Sequence, residues 1–211
     1  VTGDALVRTG KTFVLDALEA VLGLSTVRNG GPGAMASVFI RGAGSEHTLF
    51  LLDGVELNDP INPSRSFDLA HLSLSQVERI EILRGPQGLL YGSDALGGVV
   101  NIITRTGSGR PQFTLTSSAD TLGTLDADIS LSGSGGQTEY SFALFHERTA
   151  GISAASSAYP GNVEKDGYRN LSLAARFGLT PRPATSLTLT VRAATARTDL
   201  DNFGGPGGDD P

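Results

Sequence analysis

VERIEILRGPQGLLYGSDALGGVVNIITR, residues 77–105, decides how the rest of the chain is read. Two short apolar strands are expected, Arg79–Leu83 and Val99–Thr104. They flank a turn system dense in glycine: Gly85-Pro86, Gly88, Gly92 and Gly97-Gly98. Glycine at this density marks a backbone that bends sharply and approaches other backbone closely. A second informative stretch, VFIRGAGSEHTLFLLDGVELNDP at 38–60, precedes it.

Around these stretches the first hundred residues read as a small α+β unit. Val14, Leu15, Leu18, Val21 and Leu22 have helical spacing, which predicts a helix over Phe13–Leu22 with Gly23 as its C-cap. Thr26–Asn29, Ala36–Arg41 and Thr48–Leu52 read as strands. Asp53-Gly54 is a tight-turn pair between Leu49–Leu52 and Val55–Leu57, a hairpin signal. Phe67–Leu72 reads as one helical turn, and Ser75–Val77 leads into the next strand. About 100 residues suffice for one small core.

After Arg110 the pattern changes to period two. Leu125, Ala127, Ile129 and Leu131 alternate with Asp126, Asp128, Ser130 and Ser132. Tyr140, Phe142 and Leu144 alternate with Ser141 and Ala143, and Leu187, Leu189 and Val191 with Thr188, Thr190 and Arg192. The longest run places Leu171, Leu173, Ala175, Phe177 and Leu179 against Ser172, Ala174, Arg176 and Gly178, and Phe113–Ala119 is a weaker first member. One apolar and one polar face, five times over, suit a sheet between lipid and a wet lumen, or a soluble β-sandwich. Gly133–Gln137 and Thr180–Thr185 are short connections, whereas Ala150–Gly167 is long. Transmembrane barrels have short periplasmic turns and longer outer loops. The brief 121–124 connection departs from that rule.

Composition narrows the classes further. Gly accounts for 28 of 211 residues, about 13% against an average near 7%. There is no run of 18 apolar residues and hence no transmembrane helix, which leaves strand-spanning proteins open. The lack of cysteine removes disulfides and thiolate metal sites, and a net charge of −6 argues against nucleic acid as a partner. No catalytic pattern emerges. Gly92-Ser93-Asp94 lacks the second glycine of a nucleophile elbow, and no glycine turn ends in the Gly-Lys-Ser/Thr of a phosphate loop. His47, His71 and His146 are too far apart for a metal-ligand motif. The chain does not read as an enzyme.

The order GGPG (30–33), IRG, LLDGVELN, RGP and YGSDALGGVVNIITR resembles the plug domain of TonB-dependent outer-membrane receptors. Among these it is most similar to the cobalamin (vitamin B12) type. The resemblance implies an α+β plug over 1–108, then antiparallel transmembrane β-strands over 109–211 as an incomplete part of a 22-stranded β-barrel. It implies residence in the cell outer membrane and uptake of a scarce nutrient. The expected partners are a TonB-type periplasmic energy-coupling protein, outer-membrane lipid and a small ligand, with a monomer when complete. Cobalamin is the favoured ligand; siderophore, haem and glycan are alternatives, as are a signalling or adhesion role and a soluble β-rich binding module. A signal peptide and TonB box are expected upstream of the strand-like VTGDAL opening.

The resemblance also nominates residues. Gly31, Pro32 and Gly33, with Asn58, Asp59, Ile61, Asn62 and Ser64, are expected in apical loops that meet the ligand. Arg41 and Arg84, each before a glycine, are expected to face glutamates of the barrel wall beyond residue 211, because a guanidinium fork holds a carboxylate bidentately. Asp199, Asp201, Asp209 and Asp210 cluster around GGPGG. Oxygen-rich loops suit calcium, which this receptor type holds in outer loops; a solvated acidic loop is the other reading, and the EF-hand pattern is absent.

Overall fold

The computed structural model describes residue 2 and residues 10–61, 65–121, 123–151 and 165–199. These form two compact units: Val1–Asn29 with Met35–Arg105, and Gly30–Ala34 with Thr106–Pro211.

The first unit is built on a four-stranded sheet. Its strands are β3 (Thr48–Leu52), β4 (Val55–Glu56), β5 (Val77–Arg84) and β6 (Gly98–Thr104), in the order β4-β3-β6-β5. β3 and β6 are parallel and the other pairs antiparallel. Both faces of the sheet are covered. On one, Phe50, Val100, Ile102 and Ile80 join the main core with helix α1 (Val14–Glu19) and strand β2 (Ala36–Ile40), which pairs with β1 (Leu24–Arg28). On the other, Leu49, Leu51 and Val99 enclose Ala95. Burial on both sides is why TLFLL and GVVNIIT read as apolar runs instead of alternating.

Local chemistry sets the boundaries. The Phe13 N–H donates to Asp16 Oδ2 at 3.0 Å, closing one half of a capping box at the start of α1. The helix is shorter than its apolar spacing predicts: it ends at Glu19 with Ala20 as its cap, and Leu22 is 86% exposed. Gly23 caps nothing; its carbonyl accepts the Arg41 N–H at 3.0 Å. Of the helical turn expected over Phe67–Leu72, only a hydrogen-bonded turn at its end forms, where the Leu72 N–H donates to the Leu69 carbonyl at 3.3 Å. There the Asp68 carboxylate accepts the N–H groups of Ala36 (3.1 Å) and Ala70 (3.0 Å), offering the backbone a different set of bonds. Glycine density has its expected meaning at Gly98, where an added Cβ would collide with the Leu83 carbonyl at φ +154°.

The second unit is an antiparallel meander of β7 (Gln112–Ala119), β8 (Leu125–Gly135), β9 (Thr138–Thr149), β10 (Tyr168–Arg182) and β11 (Thr185–Thr198). Gly136-Gln137 and Pro183-Ala184 are two-residue turns, tighter than the expected connections. The register assembles the separate alternations into continuous rows: Leu115, Ile129, Leu144, Leu173 and Ala193 stand side by side across all five strands. This apolar face is the open one, with Leu189 62% and Phe177 46% exposed. On the opposite face Ser141, Ala143, Phe145, Glu147 and Asn170 are buried. A sheet folded for water would be the other way round.

Candidate functional site

The motif LLDGVELN turns out to be largely structural. Asp53 and Gly54 adopt φ of 50° and 84°, both positive as a type I′ hairpin turn requires. The Asp53 carboxylate then accepts from Thr104 twice, at the backbone N–H (2.9 Å) and the hydroxyl (2.6 Å), locking the turn to β6. Asn58 is 4% exposed. Its Oδ1 accepts from Phe50 N–H at 2.8 Å, and its Nδ2 donates to the carbonyls of Thr48 (3.1 Å) and Arg65 (2.8 Å). Both amide hydrogens are spent internally, so the side chain pins the start of the 58–66 loop and is not presented to a ligand.

Asp59 is exposed and its Oδ1 accepts the Ile61 N–H at 2.9 Å; Ile61 itself is 89% exposed. Asn62 and Ser64 lie outside the described residues. At the far end Arg65, with φ 48°, reaches Asp94 Oδ2 at 2.7 Å and Glu56 Oε1 at 3.0 Å. These half-exposed ion pairs are individually weak, but they fasten the end of the loop to the glycine-rich turns and to β4. Sequence reading missed Arg65 because its partners are 29 and 9 positions away.

The GGPG segment sits elsewhere, with the strand unit. An added Cβ on Gly33 would run into the Tyr168 ring and Thr198 Oγ1, so glycine is required there by close approach. Tyr168 is fully buried and heads a polar chain on the same face of β10: Asn170 Nδ2 donates to the Tyr168 hydroxyl at 2.9 Å, and the Ser172 hydroxyl to Asn170 Oδ1 at 2.7 Å. Gly31, Pro32 and Gly33 are each half-buried.

Arg41 and Arg84 meet at one edge of the first unit. Arg41 follows β2 with φ 53°, and Arg84 ends β5. The Arg41 guanidinium lies beside Gly85, and that of Arg84 beside Gly23, whose carbonyl holds the Arg41 N–H. Both are exposed, and among the described residues neither has a carboxylate partner. Of the four aspartates nominated for calcium, only Asp199 is described; its Oδ1 is 3.6 Å from Arg197 Nε. Asp201, Asp209 and Asp210 lie outside the described residues, among which no cluster of three metal-ligating groups occurs.

Residues 1–99 match the family model of the TonB-dependent Receptor Plug Domain. The siderophore receptor PirA from Acinetobacter baumannii superposes with a TM-score of 0.74 at 22% identity, over 95% of this chain and 31% of that one. The ferric yersiniabactin uptake receptor FyuA from Yersinia pestis gives 0.75 at 22%, over 94% and 31%. A variant of the ferric enterobactin receptor PfeA from Pseudomonas aeruginosa, in complex with enterobactin, gives 0.69 at 22%, over 94% and 32%. The chain thus spans about a third of the length of the solved receptors it matches. Its first segment is a TonB-dependent receptor plug domain, and the strands that follow have the fold of the N-terminal part of such a receptor's barrel. TonB-dependent receptors of this kind are outer-membrane proteins.

Proposed function

We propose that this chain is the plug and first wall strands of a receptor that captures a scarce amphipathic nutrient outside the cell and admits it when a TonB-type protein pulls on the plug. The observation that carries the reading is the inverted sheet, an exposed apolar row and a buried polar row in strands that follow a plug segment in the sequence. For the ligand we favour a ferric siderophore. The similar solved receptors are described as a siderophore receptor, a ferric yersiniabactin uptake receptor and a ferric enterobactin receptor, whereas cobalamin rests on the order of the sequence motifs. Asp59 and Ile61 are the residues we assign to the ligand-facing surface of the plug, whereas Gly31, Pro32 and Gly33 group with the strand unit. The test is equilibrium binding of ferric catecholate, hydroxamate and mixed-ligand siderophores, and of cyanocobalamin, to the complete receptor. Saturable binding of one ferric siderophore class is expected. Binding of cyanocobalamin alone overturns the ligand class, and binding of none by a correctly folded barrel overturns the uptake reading.

Arg41 and Arg84 belong to the same proposal as cations that seat the plug against wall carboxylates. Removing one member of a buried pair costs about 3–5 kcal/mol, and less at a wet seam such as these exposed side chains imply. Arg41→Ala and Arg84→Ala are therefore expected to raise passive conductance of the complete receptor without preventing barrel assembly. Because the two cations lie at one edge, the double variant should fall short of additive. Unchanged conductance in both single variants would return them to the status of ordinary surface arginines.

A further inference from the structure

We propose that the long-connection end of the strand sheet carries a binding site for a phosphate-bearing membrane lipid, built on a cross-strand row of three arginines. The inference rests on the membrane reading above. In the register, Arg148 stands directly opposite Arg169, and Arg169 directly opposite Arg197. Adjacent strands are about 4.8 Å apart, so three guanidinium groups project from within about 10 Å on one face. Like charges placed directly opposite destabilise a sheet. The nearby countercharge is small: Asp199 lies 3.6 Å from Arg197, and among the described residues Arg148 and Arg169 have no carboxylate partner. Lys165 adds a fourth cation, joining Arg148, Arg169, Leu125 and Asp199 around a cavity of about 440 Å³.

Position identifies the occupant as lipid. All three arginines continue the apolar row: Arg169 follows Leu171, Leu173, Ala175, Phe177 and Leu179 at period two, and its neighbours do the same on β9 and β11. From Leu171 to Leu179 is about 27 Å along the strand, or about 21 Å along the membrane normal at a tilt near 40°, close to the apolar band of about 25 Å in such barrels. The arginine row therefore falls where headgroups begin. The row just inside it is of mixed polarity, with Ala127, His146, Leu171 and Thr195, as an interfacial level would be. At the two-residue-turn end the paired positions are Arg182 and Thr185, with no row of cations, so the site belongs to one leaflet. Guanidinium groups take phosphate oxygens bidentately, which satisfies both the mutual repulsion and the geometry.

The test uses the complete receptor in phosphatidylcholine bilayers and measures the selectivity of its lipid-facing surface for spin-labelled phosphatidic acid over spin-labelled phosphatidylcholine. The unaltered protein should prefer phosphatidic acid by about tenfold at low salt. R148Q/R169Q/R197Q should bring the preference to within about twofold of unity, R169Q alone should lower it partway, and R182Q should leave it unchanged. Heat-modifiable migration verifies that each variant is folded, and R169Q keeps the question open should the triple variant misfold. Inorganic phosphate should not abolish the preference; if it does so at concentrations that leave the bulk ionic strength unchanged, the row is a site for a soluble anion and the proposal fails. Insertion with equal selectivity for both lipids overturns this inference alone, whereas failure to insert into either bilayer overturns the membrane reading as well.

Discussion

Leu173→Arg in the complete receptor should cut the yield of folded, inserted barrel far more than Ser172→Arg at the neighbouring position. Leu173 stands in the middle of the apolar row, flanked by Leu144 and Ala193 on the adjoining strands. A midplane arginine on the lipid face costs about 2–4 kcal/mol. Ser172 projects to the opposite face, where its hydroxyl bonds Asn170, and that face already accommodates Arg176 and Arg192. Folding into vesicles, followed by heat-modifiable migration and a urea titration, reads the difference. Equal losses in the two variants would mean that the faces are reversed or that no lipid is involved.

The second large effect is expected at Asn58. Asn58→Ala leaves the Phe50 N–H and the carbonyls of Thr48 and Arg65 without their partner. An unsatisfied buried polar group costs about 1–3 kcal/mol, so a loss of about 3 kcal/mol in the plug segment is expected. Asn58→Asp should be worse at neutral pH, because it keeps the acceptor for Phe50 but turns a charged oxygen toward two carbonyls. Hydrogen exchange at the Phe50 amide within the complete receptor reports the loss directly. A variant with unchanged exchange but weakened ligand binding would make Asn58 a ligand contact after all.

Asn58 shows where sequence reading stops. Its motif was legible, and a short polar side chain before Asp-Pro reads naturally as part of an exposed loop. Whether its amide turns inward depends on the spacing of Thr48, Phe50 and Arg65 in the folded hairpin, which no local pattern encodes. The arginine row went unseen for a related reason. Arg148, Arg169 and Arg197 are about twenty and thirty positions apart, and only the register brings them opposite one another. The helix boundary at Glu19 was misread because apolar spacing and Gly23 both pointed further along the chain, and at Phe67–Leu72 side-chain bonds from Asp68 decided the backbone path.

The sequence by itself determined the division into a glycine-rich α+β segment and period-two strands, the Asp53-Gly54 hairpin, and which side chains share each strand face. These are local properties, set by turn chemistry and by the two-residue repeat of the strand. The tertiary structure alone decided that the apolar face is the open one, that GGPG keeps company with the strands, and that Arg41 and Arg84 meet at one edge. Each of these depends on contacts between residues far apart in the chain, so the physical information is in the packing and the register, not in any window of sequence.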